Sequence, residues 1–201
     1  MRQAIPPARR SRHLVMVGYR GSGKSSVGKI LAKILGLDYV DTDIAIQEKS
    51  GHSIREIFEK AGEAHFRDME TAILEETLEQ MHEIAPSVIA TGGGMVMRQE
   101  NRRILKLLGP VIWLKVSPEL AIDRILSDRL TGDQRPALTD QNFSEEVRAM
   151  IAWRNPYYAA CSDMTIDNDR SGVSTEKIAD QIVGQLRQSL WYSDLMARID
   201  G

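Results

Sequence analysis

Residues 18 to 25 read Gly-Tyr-Arg-Gly-Ser-Gly-Lys-Ser and fill every fixed position of the pattern G-x-x-x-x-G-K-[ST]. The run before them, Leu14-Val15-Met16-Val17, is apolar and β-prone, and Ser26 to Leu35 has helical periodicity. A strand, a glycine-rich turn and a helix in that order are what a phosphate-binding loop requires. The glycines let the backbone curl so that successive N–H groups face phosphate oxygens, and the helix N-terminus adds positive potential. The backbone and side chains from Gly21, Ser22 and Gly23 through Lys24, Ser25 and Ser26 are therefore expected to cradle a nucleoside triphosphate. Lys24 would reach the β- and γ-phosphates, and the Ser25 hydroxyl would ligate Mg²⁺. Tyr19 and Arg20, at variable positions of the loop, look incidental.

The rest of the chain fits one α/β domain. Strands are expected at His13–Val17, Tyr39–Asp41, Ser87–Ala90, Val111–Lys115 and Met164–Ile166, with helical stretches between them. The helices are expected at 24–35, 43–50, 53–60, 63–81, 99–108, 118–126, 144–161 and 175–188, with Gly36, Gly51 and Gly109 at C-terminal caps. Alternation of this kind predicts a five-stranded parallel sheet covered on both faces by helices. The first 12 residues are basic, with Arg2, Arg9, Arg10 and Arg12 around Pro6-Pro7, and read as a solvated N-terminus. The domain proper is expected over 13–189, with 190–201 as an extension of the last helix or a docked tail. Ser127 to Phe143, polar and broken by Gly132 and Pro136, reads as a mobile lid over the triphosphate.

Composition sets limits on partners. The net charge is −2, which points to neither nucleic acid nor an acidic membrane surface. The apolar runs are far short of a membrane span. One cysteine, Cys161, cannot make an internal disulfide and suits a reducing cytoplasm as a structural, half-buried thiol.

Phosphoryl transfer needs a metal, positive charge and a positioned acceptor as well as the cradle. Asp41-Thr42-Asp43 places two carboxylates on one side of the second strand's carboxyl end, where open α/β sheets bind ligands. One could hold Mg²⁺ through water while the other accepts from the attacking hydroxyl; capping of the next helix by Asp43 is the plainer alternative. Glu63, Phe66, Arg67 and Glu70 share one helix face, so that the glutamates can fix the Arg67 guanidinium as a clamp on an anion. A surface ion-pair ladder would look the same. Gly92-Gly93-Gly94 follows the third strand directly and offers only backbone, so its use is close approach to something bound. Many phosphate-loop proteins carry a metal-linked aspartate there; its absence shifts that duty to Asp41. Pro136 holds Arg135 extended in the candidate lid, where its side chain can swing onto the transferring phosphoryl. Arg154, before an expected helix break at Pro156, can pair with a substrate carboxylate.

In order and spacing, these segments resemble the shikimate kinases. The resemblance rests on 18–25, Asp41–Asp43, Phe66-Arg67, Gly92–Gly94, Arg135-Pro136 and Arg154-Asn155-Pro156-Tyr157 and covers about residues 13 to 170. It implies a three-layer P-loop kinase fold and transfer of the ATP γ-phosphate to the 3-hydroxyl of shikimate. It also implies that Asp43 contacts the ring hydroxyls and accepts the reacting proton, while Arg67 and Arg154 clamp the carboxylate against Gly92, Gly93 and Gly94. Lys24 and Arg135 would stabilise the transferring group, Ser25 and Asp41 would serve Mg²⁺, and Arg129 is the candidate adenine contact. A cytoplasmic monomer acting on small molecules, without nucleic acid or membrane, is expected. The competing readings are a gluconate or nucleoside monophosphate kinase and a non-catalytic binding module of the same fold. Neither kinase calls for this set of acceptor residues, and the non-catalytic module would be expected to lose Lys24, Asp43 or Arg135.

Overall fold

The computed structural model describes residues 13–81, 83–127, 143–169 and 173–199. The five strands are β1 (Leu14–Val17), β2 (Asp38–Asp41), β3 (Ser87–Ala90), β4 (Val111–Lys115) and β5 (Met164–Asp167), each end within one residue of its expected place. They form one sheet in the order β2-β3-β1-β4-β5, with every pairing parallel. The chain thus crosses over β3 to reach β2, returns to β3, and then crosses β1 to reach β4. Loops leaving the neighbouring strands β1 and β3 diverge to opposite faces, which opens a crevice at their carboxyl ends.

Alternation along β1 builds both halves of the core. Leu14 and Met16 face one way, towards α1 (Lys24–Leu35) and α7 (Thr175–Leu186), where they meet Val27, Leu31, Ile178 and Ile182. Val15 and Val17 face the other way, meeting residues of α3 (Ile54–Glu79), α4 (Gln99–Leu108) and α6 (Phe143–Cys161), among them Leu74, Leu105 and Tyr158. All four β1 residues are fully buried. Each such side chain contributes about 1.5–3 kcal/mol by leaving water, so this strand is the axis of the molecule. The helices α2 (Thr42–Ser50) and α5 (Pro118–Ser127) complete the layers.

Two details differ from expectation, at Pro156 and at Gly109. α3 holds the two helices expected over 53–81, on either side of a kink at Gly62 (φ 80°, ψ 173°), a non-helical conformation that needs glycine. Its start carries a capping box: Ser53 Oγ accepts from Glu56 N at 3.3 Å, and Glu56 Oε2 accepts from Ser53 N at 2.8 Å. Pro156 does not break its helix, because α6 runs through it to Cys161. The lost backbone bond is offset by what lies beyond: Tyr158, buried and stacked on Trp113 at 5.8 Å, and fully buried Cys161. Gly109 ends α4 with extended backbone (φ 168°) rather than a left-handed cap; it is glycine because a Cβ there would collide with the His13 carbonyl. Gly36 and Gly51 are left-handed caps as expected.

The C-terminal stretch forms a helix of its own, α8 (Leu190–Ile199), whose Trp191 and Tyr192 pack on the α1–α7 core. The basic residues 1–12 and positions 128–142 of the expected lid lie outside the described residues; Ser127 ends α5 and Phe143 begins α6. No helix among the described residues is long and apolar enough to cross a membrane.

Cys161 is more deeply placed than the half-buried thiol expected. Its Sγ donates to Tyr158 O at 3.5 Å, and burial pushes the thiol up to about 11. The neutral form therefore persists throughout the range in which thiol reagents are used. We expect no reaction of Cys161 with dithiobis-nitrobenzoate at pH 8 in the folded protein and full reaction in denaturant. Release of one equivalent of chromophore within minutes from the folded form would contradict this placement.

Candidate active site

The turn after β1 is built for a bound anion. Gly18, Gly21 and Gly23 take φ values of 150°, 77° and 90°, which other residues adopt only with strain. A Cβ at Gly18 would also stand 2.5 Å from Leu114 O. Lys24, buried in the first turn of α1, donates from Nζ to Gly18 O and Tyr19 O, each at 2.9 Å, and so spans its own loop. Two residues not singled out from the sequence hold the loop from behind. Arg124 Nη1 on α5 donates to Gly21 O at 3.1 Å, and buried Asn168, just after β5, donates from Nδ2 to Ser22 O at 2.8 Å. Desolvation lowers the Arg124 pKa below the usual arginine value, with Asp169 and Asp123 opposing it. With those carbonyls engaged outward, the first amides of α1, which have no partners of their own in the helix, face the cradle. Ser25 and Ser26 follow, exposed on the first turn.

Beside the loop stands Asp41. Its Oδ2 accepts from Ser25 Oγ at 3.0 Å and from Tyr39 OH at 3.1 Å, while its Oδ1 accepts from Asp43 N at 3.0 Å. Asp41 is therefore the cap of α2, the duty that the plainer reading gave to Asp43, and Asp43 is released from it. Burial, and then the neighbouring Asp41 carboxylate, raise the Tyr39 pKa far above the ordinary tyrosine value, so its hydroxyl stays a donor. A hydroxyl and a carboxylate 3.0 Å apart at the head of a phosphate loop are hard oxygen donors suited to Mg²⁺.

The triple glycine lies across the crevice, after β3. Gly92 N donates to the buried Thr42 Oγ1 at 3.0 Å, which ties it to the start of α2. A Cβ on Gly92 would strike Asp43 Oδ1 and lie 3.0 Å from Glu70 Oε1. One on Gly94 would strike Arg67 Nη1 and lie 2.6 Å from its Cζ. Gly93 O accepts from Tyr158 OH at 2.5 Å and from Arg154 Nη1 at 3.3 Å. Asp43, Arg67 and Arg154, far apart in sequence, thus stand over three consecutive residues that have no side chains.

Arg67 is fixed as its flanking glutamates suggested. Nη1 pairs with Glu70 Oε2 at 2.7 Å, and Nη2 and Nε reach Glu63 Oε1 at 2.7 and 3.2 Å. Glu70 is fully buried, which distinguishes this arrangement from a surface ladder. Desolvation pulls the Arg67 pKa down, but Glu70 and then Glu63 outweigh it, so the guanidinium is held charged more firmly than an ordinary arginine. Phe66, buried beside it, lies 5.5 Å beneath Arg67 Cζ and packs on Phe58 at 4.9 Å.

Tyr19 is not incidental. Its buried ring carries Arg154 Cζ at 5.8 Å, and its carbonyl accepts from Lys24 and from Ser22 N. Position 19 is variable in the loop pattern, so nothing in the motif marks it. Tyr39, by contrast, was open to inference, since period-two spacing puts it on the same face of β2 as Asp41. Arg129 and Arg135 lie outside the described residues.

The sequence profile of the family described as "Shikimate kinase" matches residues 20–187. A shikimate kinase of Rhodopirellula baltica is 38% identical over 91% of this chain and 95% of its own length, and one of Enterococcus faecalis is 38% identical over 87% and 98%. The shikimate kinase of Acinetobacter baumannii, solved in complex with shikimate, superposes with a TM-score of 0.79 at 33% identity, covering 89% of this chain and 95% of that one. The chain belongs to the shikimate kinase family, whose members are ATP-dependent phosphotransferases acting on a hydroxyl group.

Proposed function

We propose that the chain transfers the γ-phosphate of ATP to the 3-hydroxyl of shikimate, with its described residues divided between two walls of one crevice. The observation that carries this reading is the seating of Asp43, Arg67 and Arg154 against Gly92, Gly94 and Gly93, opposite the phosphate loop. On the nucleotide wall, the amides from Gly21 to Ser26 hold the phosphates, and Lys24 exchanges its loop carbonyls for β- and γ-oxygens. Arg124, fixed against Gly21 O, stands beside that wall. Ser25 would ligate Mg²⁺ with Asp41 as its outer partner, and the ion when bound would supply charge neutralisation for the phosphates.

On the acceptor wall, Arg67 and Arg154 take the shikimate carboxylate. Both are already oriented, Arg67 by Glu63 and Glu70 and Arg154 by Gly93 O and the Tyr19 ring, so little ordering entropy remains to be lost on binding. Asp43 accepts a hydrogen bond from the reacting hydroxyl. Because charge in such a transition state lies mainly on the phosphoryl oxygens, this contact acts chiefly by positioning. The lid over 127–143, with Arg135 closing on the transferring group and Arg129 near the adenine, is proposed on the sequence alone. A cytoplasmic setting, supported by the buried cysteine Cys161 outside any disulfide, and a monomeric state are proposed.

The assay that tests the reaction is coupled ADP release with shikimate, gluconate and nucleoside monophosphates as acceptors. Turnover with shikimate is expected, and turnover only with another acceptor would overturn the assignment. Arg67→Ala and Arg154→Ala should each raise the shikimate KM about 10-fold or more, the value of one charge-assisted contact, with the KM for ATP little changed. Arg135→Ala should instead lower kcat by about 100-fold or more. Equal loss of ATP affinity in all three would contradict the division of roles. Gly94→Ala provides a test of the glycine floor, because its methyl displaces the Arg67 guanidinium without removing it. A rise of about 10-fold in shikimate KM with unchanged ADP binding is expected; an unchanged KM would show that the close approach is dispensable.

A further inference from the structure

Tyr39 does more than fill the edge of the core. Its ring rests on Gly28 of α1, where a Cβ would lie 2.9 Å from Cε2 and 3.5 Å from Cδ2, and Lys29 Nζ stands 5.7 Å from the ring centroid. That seat carries the hydroxyl to Asp41 Oδ2, at 3.1 Å. The same oxygen accepts from Ser25 Oγ, and Asp41 Oδ1 is held by Asp43 N. Asp41 is thus gripped at both oxygens from three elements: the head of α1, the strand β2 and the start of α2. Ser25 donates its proton to Asp41, which leaves the oxygen lone pairs of Ser25 open to a cation.

We infer that Tyr39 is a positioning residue for the divalent cation, its hydroxyl fixing the direction of the Asp41 carboxylate that serves the Ser25 metal site. The inference rests on the metal role proposed above for Ser25 and Asp41. Without the Tyr39 hydroxyl, Oδ2 keeps only the Ser25 donor, and the carboxylate can rotate about its Cβ–Cγ bond at the cost of one hydrogen bond fewer. A carboxylate aimed by an outer hydroxyl binds a metal, or its water, with less reorganisation, and loss of such an outer partner typically weakens a metal site about 10-fold or more. The ring itself is not required for that effect. Phenylalanine fills the same seat on Gly28 and removes only the donor.

The measurement is the coupling between Mg²⁺ and nucleotide, taken as the ratio of ADP dissociation constants in EDTA and in saturating Mg²⁺ by titration calorimetry. Tyr39→Phe should reduce that ratio about 10-fold, leave ADP affinity in EDTA unchanged, and raise the half-saturating free Mg²⁺ in turnover by a similar factor. Tyr39→Leu, which removes ring and hydroxyl together, should show the same reduction. A loss seen in Tyr39→Leu but not in Tyr39→Phe would assign the effect to packing on Gly28 and overturn the inference. Asp41→Asn separates this inference from the reading beneath it. If Asp41→Asn lowers the coupling and Tyr39→Phe does not, the Tyr39 role falls and the metal role of Asp41 stands. If Asp41→Asn leaves the coupling intact, the metal role falls, and the Tyr39 role with it.

Discussion

A Cβ atom on any residue of 92–94 would stand in or against the space of a group in one of the two walls of the crevice. At Gly92 it would meet Asp43 and Glu70, at Gly93 the backbone of Arg20 and Gly18, and at Gly94 the Arg67 guanidinium. The absence of these side chains therefore determines how closely the two walls approach. It also depends on topology, because only the adjacency of β1 and β3 puts the phosphate loop and the triple glycine side by side. β1 holds that adjacency through its buried pairing on both edges, to β3 and to β4. A chain with the same motifs on strands that were not neighbours would have the parts of the site without the site.

The pairing of Arg67 with Glu70 follows from the same closeness. A fully buried carboxylate and a nearly buried guanidinium contribute little net stability, since desolvation consumes most of their attraction. Their value here is directional. Glu70 takes Nη1 and Glu63 takes Nη2 and Nε, so the fork has one orientation. Glu63, exposed, is the partner from which the proposed substrate carboxylate would most easily take over donors, because its own loss of contact is made good by water. Glu70 has no such recourse and stays with Arg67. The two glutamates thus differ in function through burial alone.

Much of this was open to a reader of the sequence. The strands β1, β3 and β4 could be placed because each is a short, mainly apolar run between glycine or polar turns, and β1 and β4 have no competing helical period. The helix ends at Leu35 and Ser50 were given by Gly36 and Gly51, which reached the left-handed conformation for which glycine is suited. What could not be read depends on contacts between distant segments. The burial of Glu70, which sets this arrangement apart from a surface ladder, depends on the packing of α3 against α2, α4 and the glycine loop after β3. Arg124 and Asn168 reach the phosphate loop across 103 and 146 residues of chain, and no local pattern announces such a bond. Pro156 was misjudged for a related reason. Its local cost is real, but it is offset by the burial of Tyr158 and Cys161 in the turn beyond it.

The two walls are also connected through bonds, and Asp41 is where they join. Its Oδ2 belongs to the nucleotide side through Ser25, and its Oδ1 fixes the backbone of Asp43 on the acceptor side. Thr42 between them receives Gly92 N, so the strap of three residues is pinned to the glycine floor as well. A second connection runs through Tyr19, whose carbonyl receives Lys24 while its ring carries Arg154. A shift of the loop would therefore move both Asp43, the proposed contact to the reacting hydroxyl, and Arg154, the proposed carboxylate clamp. Such shared supports are what coupling between two ligands requires: each ligand that stiffens Asp41 or Tyr19 leaves less ordering for the other. The spread of the proposed acceptor residues over 112 positions, from Asp43 to Arg154, conceals how few atoms separate them from the phosphate loop.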